Sequence, residues 1–152
     1  SEILMSIENP PGTIVVRGTA DGFLQQVTAG EHRFIADEPV SSGGTDLGPD
    51  PYDLLLAALG ACTSMTMAMY ARRKQWPLVD VTVRLRHSRV HANDCADCET
   101  TAGQVSQIER EIVLTGALSD EQRARLWEIA DRCPVHRTLT SEIKIRTTMV
   151  AG

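Results

Sequence analysis

The chain has 152 residues, a formal net charge of −5 and a pI near 5.3, with 42% apolar residues. That length fits one domain, residues 1–152, with room for a real core. The acidic balance excludes a nucleic-acid surface, which needs clustered Lys and Arg, and equally a polybasic membrane patch.

Ser1-Glu2-Ile3-Leu4-Met5 has no basic region leading into an apolar stretch, so no secretory signal is expected. The β-branched run Thr13-Ile14-Val15-Val16-Arg17, the turn signal Asp21-Gly22, the segment Phe23–Thr28, the break at Gly30 and His32–Ala36 predict an antiparallel meander of three strands. Ser41–Asp46 reads as a loop ending in Gly48-Pro49. Asp50-Pro51 then starts a helix, with Asp at the N-cap and Pro in the first helical position. This helix is expected to run from Pro51 to about Lys74, its basic end Arg72-Arg73-Lys74 suiting the negative pole of the helix dipole. Its longest apolar stretch, Leu54–Ala61, is too short to span a bilayer. The early turns are apolar nearly all round, which predicts burial on most sides. One small sheet cannot cover such a rod, so a homodimer is expected.

Val79–His87 alternates apolar and polar residues as a half-buried strand does. Gln104–Thr115 predicts a second strand, with Ile108, Ile112 and Leu114 on one face. Ser119 and Gln122 form a capping box for a helix reaching about Arg132, whose buried stripe is Leu126, Ile129, Ala130 and Cys133. Ile143, Ile145, Thr147 and Met149 alternate in a last strand. The predicted class is α+β in the order β-β-β-α-β-β-α-β.

Chemistry is sought first at the four cysteines. Without a leader they favour a reducing compartment, the cytoplasm, where paired thiols serve catalysis, metal binding or redox sensing. Cys62 lies inside the apolar helix. It reads either as a small core residue or as a thiol whose activation needs a cation or hydrogen-bond donors from elsewhere, because burial alone raises its pKa. Cys133 precedes Pro134, which can open a short new helix and leave the thiol near a positive N-terminus, with His136 and Arg137 within a turn. An inert thiol at a helix break is the competing reading. Cys95-Ala96-Asp97-Cys98 is a CxxC unit preceded by His87 and His91, on paper a zinc site. Four residues apart on a strand, the histidines stand about 13 Å apart and cannot share an ion. Loop thiols without metal, a labile disulfide and zinc held by His91, Cys95 and Cys98 stay open. Asp53, in the first helical turn, either stabilises the helix dipole or orients a cation near the thiols.

Gly48-Pro49-Asp50-Pro51-Tyr52-Asp53-Leu54-Leu55-Leu56-Ala57-Ala58-Leu59-Gly60-Ala61-Cys62-Thr63, followed by Arg132-Cys133-Pro134-Val135-His136-Arg137-Thr138-Leu139, resembles the OsmC/Ohr superfamily, the osmotically inducible protein C and organic hydroperoxide resistance proteins. The resemblance spans about Gly43 to Ala151. It implies an OsmC-like α+β fold, two intertwined chains and active sites at the dimer interface. It implies a cofactor-free thiol peroxidase for organic hydroperoxides in oxidative stress defence, with Cys62 peroxidatic and Cys133 resolving through a disulfide. A dithiol reductant, in some members a lipoylated protein, restores the pair. The sequence departs from the best-studied branches at two places. Their activating Arg faces Ala20-Asp21-Gly22 here, with Arg17 the nearest cation, and Tyr52 stands where they carry Glu, with Asp53 the nearest acid. It looks more like an OsmC-like branch carrying the Asp-Cys-Ala-Asp-Cys insert. Two other functions stay open: an OsmC-like stress or small-ligand-binding protein without efficient turnover, and a thiol or zinc sensor working through Cys95 and Cys98.

Overall fold

The structure, a computed structural model, describes residues 9–152; the reading of Ser1–Met5 lies outside the described residues. Contacts divide the chain into two compact units at Leu54/Leu55.

In the first unit β1 (Ile14–Gly18), β2 (Gln25–Ala29) and β3 (His32–Ala36) form the expected antiparallel meander. Val16 pairs with Val27, and Val27 with Phe34. Gly30, at φ 62, takes the first position of the two-residue turn into β3, a left-handed conformation that costs glycine little. The loop beyond β3 is organised by the buried Asp37. Its carboxylate accepts hydrogen bonds from the backbone N–H groups of Glu38, Thr45 and Leu47 and from the Thr45 hydroxyl, and these hold it below its ordinary pKa.

The long helix α1 spans Pro51–Lys74, as read from the sequence. At its start Asp50 and Asp53 cap reciprocally: the Asp53 N–H donates to Asp50 at 2.8 Å and the Asp50 N–H to Asp53 at 3.1 Å. Asp53 is thereby a capping residue. At the other end Gln75 adopts φ 58, and the N–H groups of Gln75 and Trp76 reach back to the carbonyls of Arg72 and Ala71. This is a Schellman motif with glutamine in the place glycine usually takes.

Burial of α1 differs from expectation. One stripe is buried, Leu59, Gly60, Thr63, Met67 and Ala71, while Met65 and Met69 are 70% and 55% exposed. The other positions of α1 are exposed or half-buried. The whole helix, 24 residues with a mean hydropathy of 1.6 in its most apolar window, has the length and composition of a membrane span although its longest apolar run is short. Its buried stripe nonetheless sits in a protein core: Met67 and Ala71 cluster with Leu126 and Ala130, flanked by Val81, Ile112 and Leu114. Gly60 permits the close approach to the sheet, since a Cβ there would come within 2.8 Å of a Leu85 methyl.

The sheet of the second unit is a long antiparallel hairpin of β4 (Leu78–His91) and β5 (Gln104–Gly116). Both strands outrun their predicted ends, so His87 and His91 lie on one strand. Val81, Val83 and Leu85 face Leu114, Ile112 and Arg110 across the ladder. Helix α2 (Asp120–Ala130) opens with the expected capping box, the Ser119 side chain accepting from the Gln122 N–H and Gln122 from the Ser119 N–H. A short helix α3 (Pro134–Leu139) follows.

The α+β class stands, but the last predicted strand does not form within the chain. From Glu142 onward no regular element is present among the described residues, and Ile143, Ile145 and Met149 are 52%, 87% and 94% exposed. Alternation gives a segment the side chains of a strand, but a strand forms only where a ladder pairs its backbone, and this segment pairs with no strand among the described residues.

Candidate active site

Two elements of the second unit bring Cys62 and Cys133 together. Cys62 sits on α1 next to the buried Thr63. Cys133 caps the N-terminus of α3, where Pro134 forces the preceding residue out of helical geometry, to ψ 130. The Cys133 sulfur accepts the His136 N–H at 3.4 Å and is fully buried.

The two thiols are close enough to shift one another's acidity, and they differ in it. Burial pushes the Cys62 thiol up, but the Cys133 thiol, the Val135 N–H and the Thr66 hydroxyl all donate to its thiolate, and the result lies below the ordinary thiol value. Burial likewise pushes Cys133 up. Giving its hydrogen bond to Cys62 raises it further, against a smaller opposing effect from the N–H groups of His136 and Val135. The donors that Cys62 needs therefore come from one helical turn along α1 and from the first turn of α3. The arrangement makes Cys62 the more acidic of the two thiols. Both cysteines are free.

Sequence reasoning missed the cation that braces this region. Arg110 on β5 has a side chain only 13% exposed. It donates to the Thr63 hydroxyl at 3.0 Å and to Asp131 at 2.8 Å. The Thr63 hydroxyl in turn donates to the Leu59 carbonyl at 2.7 Å. Asp131 also lies 3.9 Å from His136 Nδ1. The signal was present: Arg110 shares the alternating face of Ile108, Ile112 and Leu114, and a cation within an apolar strand face needs buried partners. Thr66, one turn after Cys62, carried no comparable mark.

Cys95 and Cys98 pair as a disulfide on the polar connection between β4 and β5. With Asp97 they also form a compact group of potential ligand atoms, all within 4.8 Å of one another; His91 is not part of that group. Its place at the end of β4 fixes it outside the CxxC turn.

The fold agrees with that of known proteins. The OsmC-like protein family matches residues 43–148, across the unit boundary, and the chain belongs to that family. No curated protein matches it. Among solved structures it is similar to a Psychrobacter arcticus protein described as a candidate osmotic stress induced and detoxification response protein, at 20% identity and a TM-score of 0.67 over 86% of this chain and 89% of that one. An OsmC like protein from Mycoplasma pneumoniae matches at 19% identity and a TM-score of 0.65, covering 86% and 88%. An organic hydroperoxide resistance protein OsmC from Legionella pneumophila matches at 20% identity and a TM-score of 0.60, covering 84% and 88%. At these identities the likeness carries the fold, and family membership with neighbouring thiols fits a redox or stress protein.

Proposed function

We propose that this chain is a cytoplasmic, cysteine-based peroxidase that reduces organic hydroperoxides, with Cys62 as the peroxidatic residue and Cys133 as the resolving one. The observation that carries the reading is the neighbouring pair of free thiols, Cys62 on α1 and Cys133 at the cap of α3, which shift one another's acidity in opposite directions.

The chemistry follows from that asymmetry. The Cys62 thiolate attacks an oxygen of ROOH. The O–O bond breaks, Cys62 becomes a sulfenic acid, and the alkoxide takes up a proton and leaves as ROH. The Cys133 sulfur then attacks the sulfenic sulfur, giving a disulfide and water. An external dithiol, such as a lipoylated protein, reduces that disulfide to the starting thiols. No metal or organic cofactor enters any step. The apolar setting of α1 supports a preference for organic peroxides over hydrogen peroxide, because alkyl groups gain by leaving water.

The reading includes a homodimer. Exposed Met65 on α1, and the segment after Glu142, which pairs with no strand among the described residues, are surfaces that a second copy covers. Similarity to the Legionella pneumophila organic hydroperoxide resistance protein also supports the peroxide assignment.

The test is a single turnover with cumene hydroperoxide and the reduced protein. The expected result is loss of two thiols per peroxide consumed. Cys62→Ser abolishes consumption, and Cys133→Ser stops at a sulfenic acid trapped by dimedone. Consumption no faster than that of free cysteine overturns the proposal.

A further inference from the structure

A cavity of about 530 Å³ lies against the C-terminal half of α1. Its apolar wall is Met69 and Tyr70 of α1 with Ile129 of α2, and Thr66 stands at its edge. Its polar wall is entirely cationic: Arg73 and Lys74 from the end of α1, Arg125 from α2, and Arg132 just beyond α2.

The cations are held close together. Arg73 Cζ, Lys74 Nζ and Arg125 Cζ stand 6.0, 5.8 and 5.5 Å from the centre of the Tyr70 ring. Arg125 donates to the Tyr70 hydroxyl at 3.0 Å and pairs with Glu128 at 2.8 Å. Among the described residues Arg73, Lys74 and Arg132 have no carboxylate partner within 4 Å. The helix dipole accounts for basic residues at the end of α1. It does not account for two arginines from a different element facing the same cavity, in a chain whose net charge is −5. The phenol reports the field: the Arg125 hydrogen bond, then the charges of Arg125, Lys74 and Arg132, outweigh burial and hold Tyr70 below its ordinary value.

We propose that this cavity binds an organic anion, a carboxylate carried on an apolar body. Arg73, Lys74 and Arg132 hold the carboxylate, and Met69 and Ile129 cover the apolar part. Guanidinium groups match a carboxylate bidentately, and a wall of methionine and isoleucine favours hydrocarbon over a hydrated inorganic ion. Cys62, Thr66, Met69 and Arg73 follow one another at helical spacing and share a face of α1, with Cys62 about 16 Å from Arg73 along the axis. Thr66, which borders the cavity, is also the residue whose hydroxyl bonds to Cys62. An extended chain of roughly thirteen carbons spans that length. If Cys62 is peroxidatic, the cavity selects hydroperoxides that carry a carboxylate, and this consequence rests on the proposed function; the binding itself does not.

The experiment uses the full chain as Cys62→Ser, in which no thiol turnover occurs, so failure of the peroxidase reading leaves the measurement intact. Octanoate, octanol and inorganic phosphate are titrated by calorimetry. Saturable octanoate binding at one per chain, at least tenfold tighter than octanol or phosphate and weakened by salt, is expected. R73Q/R132Q, both at exposed positions, loses at least tenfold in octanoate affinity with unchanged octanol affinity and an unchanged melting temperature. Equal affinity for octanoate and octanol, phosphate binding as tight as octanoate, absence of saturation, or an unaffected double variant overturns the proposal.

Discussion

Cys133 gives its thiol hydrogen bond to Cys62, so that one sulfur is made more acidic by the same contact that makes the other less so. Burial alone would raise both. The difference comes from geometry: Cys62 collects donors from α1 and α3, whereas Cys133, as the cap of α3, has the N–H groups of His136 and Val135 set against its own burial.

This asymmetry predicts an ordered alkylation. In reduced protein Cys62 reacts with iodoacetamide before Cys133, and its rate reaches a plateau at a pH below that of an ordinary thiol, because the thiolate is the reacting form. Cys133→Ala removes one donor, so the Cys62 pKa rises and the rate near neutral pH falls. A hydrogen bond worth about 1 kcal/mol corresponds to roughly a fivefold effect. Peptide mass spectrometry over a pH series measures both. Equal rates at the two cysteines, or no change in the variant, contradict the assignment.

Much of this site was legible in the residue order. Pro134 announced that Cys133 would sit at a helix start, and Asp50-Pro51 placed the beginning of α1 to the residue, because proline limits backbone angles locally. What the order could not give was contact between residues far apart in the chain. The hydroxyl of Thr66 and the N–H of Val135 become donors to Cys62 only once α1 and α3 are packed, and nothing in their identity marks them. Arg110 is intermediate: its apolar neighbours at alternating positions showed that it faced inward, but not that Thr63 and Asp131 waited for it. The last strand failed for the opposite reason. Ile143 to Met149 has the right pattern, but alternation does not supply a pairing partner, and the segment pairs with no strand among the described residues.

Arg110 tests the bracing of α1 against β5. Replacing it with methionine keeps much of the side-chain volume but leaves the buried Thr63 hydroxyl and Asp131 without their donor. The expected loss is about 1–3 kcal/mol in urea unfolding. Asp131→Ala removes a partner that is 63% exposed and costs less, about 0–1 kcal/mol. Arg110→Lys recovers only part of the loss, since an ammonium is a compact point charge and lacks the planar fork that reaches both partners. A loss in Arg110→Met no greater than that in Asp131→Ala contradicts a structural role for the Thr63 contact.

The disulfide on the β4–β5 connection predicts thiol counts. Denatured without reductant, with Cys62 and Cys133 reduced, the protein titrates two thiols; after full reduction it titrates four. Cys95→Ser/Cys98→Ser leaves single-turnover peroxide consumption at the wild-type level, because neither residue enters the Cys62–Cys133 exchange. Zinc at one equivalent per chain in protein purified without chelator, lost in the double variant, would show instead that Cys95, Asp97 and Cys98 serve as ligands.

Gln75 offers a stabilising change far from the chemistry. It is exposed, and its φ of 58 places a side chain where L-residues are disfavoured by about 1–2 kcal/mol. Gln75→Gly removes that cost and loses no packing, while adding chain entropy to the unfolded state worth about 0.4–1 kcal/mol. The net expectation is a gain of about 0.5–1 kcal/mol, with the Gln75 and Trp76 N–H bonds to Arg72 and Ala71 retained. Gln75→Ala keeps the Cβ and gains nothing, so the pair separates the backbone effect from loss of the glutamine side chain. Urea unfolding followed by circular dichroism measures all three proteins, and a Gly variant no more stable than the Ala variant contradicts the left-handed cap.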